Sequence, residues 1–188
     1  MCTALGINFQ SEEYKRSGVT KAALFEKTMI PHLDAAYNLA RWITRSDHDA
    51  EDVVQEAYLR AFRYFDSFTG GDGRTWMLAI VRNTCVTWYR KQKNSSAVAF
   101  DERMHSAEME RATPEKALLQ KSSLSSLRDC IEALPLEYRD TLIMRELEEL
   151  SYRAIADVTA LPIGTVMSRL SRARRRLEDC MAAKGEQV

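Results

Sequence analysis

The chain has 188 residues, of which 45% are apolar and 29% charged. That length suits one large domain or two small ones, and the apolar share is enough to fill their cores. Lys and Arg together number 27, as do Asp and Glu, so no net charge advertises a nucleic acid as partner. No signal peptide and no bilayer-spanning apolar run is seen, so the expectation is a cytoplasmic protein without membrane insertion. Cys2, Cys85, Cys130 and Cys180 are scattered, with no CxxC pair and no nearby histidine spacing. Free thiols in a reducing compartment are the expectation, with a redox switch as the alternative.

In chain order, residues 1–19 are polar, with little periodicity, and read as a loose arm. Residues 21–45 read as helix, with Leu24, Phe25, Ile30, Leu33, Ala36, Tyr37, Ala40 and Ile43 keeping a helical stripe. Pro31 kinks or divides it. Residues 46–49 form a polar break with good capping residues. A second amphipathic helix follows over 49–65, with Val53, Ala57, Ala61 and Tyr64 on one side and Val54, Tyr58, Phe62 and Phe65 beside them. Its acids fall in the first turns, where they favour the positive end of the helix dipole. The glycines of 69–73 make a turn. Residues 74–93 read as a third helix, apolar through Trp76, Leu78, Ile80, Val81 and Trp88 and basic elsewhere. Residues 94–113 lose periodicity and read as a flexible linker between two helical modules. Pro114 opens the second, with helices over 115–134 and 136–149 split by Pro135. No segment alternates with period two for long enough to be a strand, and there is no internal repeat, so the predicted fold is all-α.

Residues 151–177 carry the strongest local signal. Ser151 suits a helix N-cap. Ile155 and Val158 give that helix an apolar face, and Ala156 is small enough for a second helix to cross closely. The break at Ala160-Leu161-Pro162 ends it, and proline suits the first position of the next helix. From there Val166, Leu170, Ala173 and Leu177 repeat at helical steps, while Arg169, Arg172, Arg174, Arg175 and Arg176 project with no acid among them until Glu178. A helix of this kind after a short break is a helix-turn-helix, suited to the major groove. The plain alternative is a helical hairpin with a solvated basic face.

Charge is segregated elsewhere too. Residues 74–93 hold Arg74, Arg82, Arg90, Lys91 and Lys93 and no acid, whereas 47–56 hold Asp47, Asp49, Glu51, Asp52 and Glu56 and no Lys or Arg. A neutral total built from such blocks implies separate surfaces for separate partners. His48 sits among carboxylates but lacks the Glu-x-x-His spacing of helical di-metal proteins, and no cofactor or metal is expected.

Three stretches together resemble a known family. DAEDVVQEAYLRAFRYFDSF and then GRTWMLAIVRNTCVTWYRKQK resemble region 2 of sigma-70-type transcription initiation factors. ALPLEYRDTLIMRELEELSYRAIADVTALPIGTVMSRLSRARRRL resembles region 4. A linker in place of a middle domain resembles the extracytoplasmic-function (ECF) class. The resemblance implies a region 2-like helical domain over 20–93, a linker over 94–113, a region 4-like helix-turn-helix domain over 114–183 and a tail over 184–188. It implies as partners core RNA polymerase (its β′ clamp helices and β flap), promoter DNA and an anti-sigma factor, with no catalysis by this chain.

The resemblance also implies roles for residues. Asp49, Glu51, Asp52, Gln55, Glu56 and Arg60 would dock on the β′ clamp, where charge supplies steering and register. Asn83 and Thr87 would meet a flipped base of the −10 element, Trp88 and Tyr89 would stack or wedge, and Arg90, Lys91 and Lys93 would hold phosphates. Thr165, Met167, Ser168, Ser171 and Arg172 would read the −35 element, with Arg169, Arg174 and Arg175 on phosphates. Met167 stands where relatives often carry Lys or Arg and cannot donate to a guanine edge. Ala160 and Glu149 stand where glycine is common, from which a less extreme backbone is expected at Ala160. The linker would thread toward the RNA exit path, with Asp101, Glu102, Glu108 and Glu110 either mimicking nucleic acid or merely solvated. The rival readings are a helix-turn-helix regulator that never joins polymerase and a metal-dependent nuclease using the acidic cluster.

Overall fold

A computed structural model describes residues 20–95 and 114–185, with side chains over 20–92 and 124–185. Among the described residues there are eight α-helices, two 3-10 turns and no strand, the all-α class expected. The expected arm, most of the expected linker with its four acids, Cys2 and the Lys93 side chain lie outside what is described.

The first unit is built from α1 (Lys21–Met29), α2 (Leu33–Thr44), α3 (Asp47–Tyr64) and, as far as Arg90, α4 (Gly73–Ser95). Thr20 opens α1 by accepting from the Ala23 amide at 3.2 Å. Pro31 divides the first expected helix, and a 3-10 turn (Ile30–His32) takes its place. Ile30 and Leu33, expected in the buried stripe, are 46% and 42% exposed, and Met29 is fully buried instead. The Met29 carbonyl accepts from the Tyr58 hydroxyl at 2.9 Å. Burial, with Asp34 adding to it, pushes that phenol up to about 12.

Ser46 caps α3 by accepting from the Asp49 amide, and Asp47 and Asp49 lie in its first turn. Helices α2 and α3 pack through small residues, Ala36 and Ala40 on one side and Ala50, Ala57 and Ala61 on the other, all fully buried. Met77, Leu78, Val81 and Cys85 of α4 complete the core. Phe65, Phe68 and Trp76 meet at ring separations of 5.2–6.4 Å, closing the turn into α4. Tyr64 departs from expectation: placed on the apolar side from its spacing, it is 65% exposed, because α3 ends there and a 3-10 turn begins.

The second unit is built on α5 (Pro114–Ala133), α6 (Leu136–Glu146) and α8 (Ile163–Gly185), with α7 (Tyr152–Thr159) ahead of α8 in the chain. Leu134, Leu142 and Ala173 form a buried cluster covered by Tyr138 and Leu177. Arg139 is only 1% exposed, and its Nη1 donates to the carbonyls of Glu132 (2.7 Å) and Leu134 (3.4 Å), which the end of α5 leaves open. Cys130 on α5 and Cys180 on α8 form a disulfide with a Cα separation of 5.8 Å. This corrects the expectation of four free thiols for that pair: the fold brings together two cysteines 50 residues apart in the chain, which no local spacing announces. Cys85 is a buried thiol outside the disulfide. Among the described residues no helix is long and apolar enough to cross a membrane.

Candidate nucleic-acid interface

The break between α7 and α8 is held by local chemistry. Ser151 accepts from the Ala154 amide at 3.1 Å, the cap expected of it. Ala160 has a left-handed φ of 54°, and Glu149 one of 52°. The expected milder backbone at Ala160 is therefore corrected: the turn needs the left-handed conformation whether or not glycine supplies it. The Leu161 amide then donates to the Ala156 carbonyl at 3.1 Å. The Pro162 carbonyl accepts from Thr165 and Val166, so proline stands just ahead of α8.

In α8, Val166, Leu170 and Ala173 are buried to within 1% exposure, as their spacing required. Ser168, Ser171, Arg172 and Arg175 then fall on the opposite side of the helix and are exposed. Met167 is 52% exposed beside them, and Thr165 and Arg169 are half-buried at the flanks. The Ser168 hydroxyl donates to the Thr165 carbonyl at 2.9 Å. Arg176 stacks its guanidinium 5.3 Å over the Tyr138 ring. Arg174 flanks the buried stripe on the Met167 side and is not free. Its Nη2 and Nε donate to one carboxylate oxygen of Glu146, at 2.7 and 3.2 Å. That bond raises an already high guanidinium pKa. Sequence reasoning missed Glu146, whose partner lies 28 residues away.

Helix α4 carries a second exposed face. Asn83, Thr87, Arg90 and Lys91 lie one or two turns apart on it, opposite Met77, Leu78, Val81 and Cys85. The Thr87 hydroxyl donates to the Asn83 carbonyl at 2.9 Å. Trp88 is half-buried, toward the core side, and Tyr89 is 37% exposed. Asp72 starts the helix by accepting from the Arg74 amide at 3.0 Å and from the Thr75 hydroxyl. These bonds, that from the Thr75 hydroxyl foremost, hold the Asp72 carboxyl below its usual range.

The acidic candidates of α3 share one solvent face. Glu51, Asp52, Gln55 and Glu56 are exposed, Asp49 is half-buried, and Arg60 donates to Glu56 at 2.6 Å. Leu59 and Phe62, 52% and 39% exposed, extend that face with apolar surface. Spacing had placed Phe62 among the buried residues. Its ring does touch Phe25 edge-on at 5.2 Å, but its outer side is open. His48 lies 3.9 Å from Asp52, both exposed, and no group of three or more metal-ligating side chains occurs among the described residues.

With that geometry in place, two family models match the chain: sigma-70 region 2 over residues 30–95 and sigma-70 region 4 over residues 124–177. The chain belongs to the sigma-70 family of transcription initiation factors, in its ECF class. The ECF sigma-E factor of Haemophilus influenzae is 34% identical over 151 residues, covering 75% of this chain and 78% of that one. The ECF sigma factor SigE of Mycolicibacterium smegmatis is 30% identical over 158 residues, 84% of this chain, which spans 62% of that relative's length. Among solved structures, the sigma factor RpoE of Bartonella quintana, crystallised with the anti-sigma factor NepR, superposes with a TM-score of 0.70. It is 25% identical, with 84% of this chain and 96% of that one covered. Possession of a region 2 as well as a region 4 sets aside the alternative of a helix-turn-helix regulator that works without polymerase.

Proposed function

We propose that this chain binds core RNA polymerase in the cytoplasm, directs it to promoters and opens them, with no catalysis of its own. The observation that carries the reading is α8. Ser168, Ser171, Arg172 and Arg175 stand outward, opposite a fully buried stripe, on a helix that enters from a capped turn. In a major groove such a face puts an arginine against guanine edges and its neighbours against phosphates. We assign Thr165, Met167, Ser168, Ser171 and Arg172 to the −35 element, with Arg169, Arg174 and Arg175 toward the backbone. Met167 has no donor and suits a thymine methyl.

On α4, Asn83, Thr87, Trp88 and Tyr89 take the unstacked −10 bases, and Arg90, Lys91 and Lys93 their phosphates. The Thr87 hydroxyl, tied to its own helix, accepts a hydrogen bond more readily than it gives one. On α3, Asp49, Glu51, Asp52, Gln55, Glu56 and Arg60 meet the basic clamp of the polymerase, and we add Leu59 and Phe62 as the apolar part of that contact. Exposed apolar area beside charge is the usual make-up of a docking surface. The Bartonella relative's complex supports an anti-sigma factor as a further partner. Residues 20–93 and 114–183 are the two working domains in this reading.

Two substitutions separate these roles. Arg172→Ala is expected to weaken promoter use roughly five- to 150-fold, on the order of 1–3 kcal/mol for one lost bidentate base contact, while leaving core binding intact. Asp52→Arg is expected to weaken core binding and leave α8 untouched. Pull-down on core polymerase beside footprinting at the −35 element reads both. Equal loss of core affinity in Arg172→Ala, or unchanged competition for core by Asp52→Arg, removes the assignment concerned.

A further inference from the structure

Glu146 is the last residue of α6, where a carboxylate faces the negative end of the helix dipole, so it does nothing for its own helix there. Its carboxylate oxygen instead receives both the Nη2 and the Nε of Arg174, at 2.7 and 3.2 Å. Both side chains are about half exposed, 46% for Arg174 and 48% for Glu146, so the clasp lies at the surface that α8 offers and within reach of a phosphate. Among the described residues, no carboxylate holds the exposed neighbours Arg172 and Arg175 in this way.

A guanidinium already neutralised by a carboxylate displaces no counterion when it approaches DNA, so it adds little to affinity for arbitrary sequence. We infer that Glu146 is a specificity-determining residue of the DNA-binding face: it withholds the charge of Arg174 from phosphates in general. Arg174 is released only where the base contacts of α8 fix the duplex closely enough for a phosphate to replace the carboxylate. The clasp lowers non-specific binding more than specific binding, which is how a repulsive or withheld contact creates discrimination. The inference rests on the assignment of α8 to duplex DNA.

The test uses the full chain assembled with core RNA polymerase, binding a short duplex of scrambled sequence between about 50 and 200 mM salt. Glu146→Gln keeps the shape and removes the charge. It is expected to tighten scrambled-duplex binding roughly three- to sixfold and to steepen the log–log salt slope by about 0.9, the value of one released phosphate contact. The double variant Glu146→Gln/Arg174→Ala is expected to lose that gain. Arg174→Ala alone is expected to leave the slope nearly unchanged, whereas Arg175→Ala flattens it by about 0.9. Unchanged slope and affinity in Glu146→Gln, or a gain that survives in the double variant, overturns the inference while the assignment of α8 stands. A wild-type holoenzyme that binds the promoter fragments it starts from no better than the scrambled duplex overturns both.

Discussion

Arg45, Glu149 and Ala160 hold left-handed backbone at φ of 63°, 52° and 54°. Each follows the end of a helix, where that conformation turns the chain and satisfies the last carbonyls. A residue with a Cβ costs about 1–2 kcal/mol there. Ala160→Gly relieves that strain but frees the unfolded chain, which takes back about 0.4–1 kcal/mol. The net expectation is a gain on the order of 0.5–1 kcal/mol, seen as a thermal midpoint several degrees higher. A midpoint that stays or falls would mean that the turn is not strained at Ala160.

Asp72 makes a pH-dependent contribution at the same scale. Its folded-state pKa lies below the ordinary 3.8, so its stabilisation is present above about pH 4 and is lost as pH falls through the depressed value. Asp72→Ala should cost about 1 kcal/mol near neutrality, with the difference from wild type shrinking below about pH 4. Denaturant melts at both pH values measure it, and a pH-independent difference contradicts the capping role.

At the scale of elements, what local periodicity controls was legible and what distance controls was not. The α8 stripe, the Ser151 cap and the division at Pro31 follow from residues within a turn or two of one another. Ile30 and Leu33 were placed wrongly: both lie at the 3-10 turn and are exposed, while the stripe runs through Met29 and Ala36. Glu146 with Arg174, and Cys130 with Cys180, are separated by 28 and 50 residues, and only packing of α8 against α5 and α6 joins them. The disulfide closes a loop long enough to be worth about 4 kcal/mol by chain entropy. Reduction, or Cys130→Ser with Cys180→Ser, should therefore lower the stability of the second unit by about 2–4 kcal/mol while the first keeps its own melting behaviour. Identical melts with and without a dithiol reductant would contradict it.

For the whole molecule, the neutral total of 27 basic and 27 acidic residues conceals its partners, and the segregation of charge reveals them. An acidic face on α3 and basic faces on α4 and α8 suit one protein and one nucleic acid held at once. The family was legible because two motif blocks stand in order, and both family models match them. The make-up of the proposed docking face was less so: spacing set out the α3 acids but not the exposure of Leu59 and Phe62 beside them, since exposure at the end of a helix is decided by what packs there.

The most direct measurement is transcription in vitro, with purified core polymerase, on a library of upstream fragments from the chain's own genome, with and without the protein. Discrete start sites that appear only when it is added, sharing −35 and −10 elements, are the predicted result. A folded protein that gives no start sites with active core, and does not bind that core, would contradict the account.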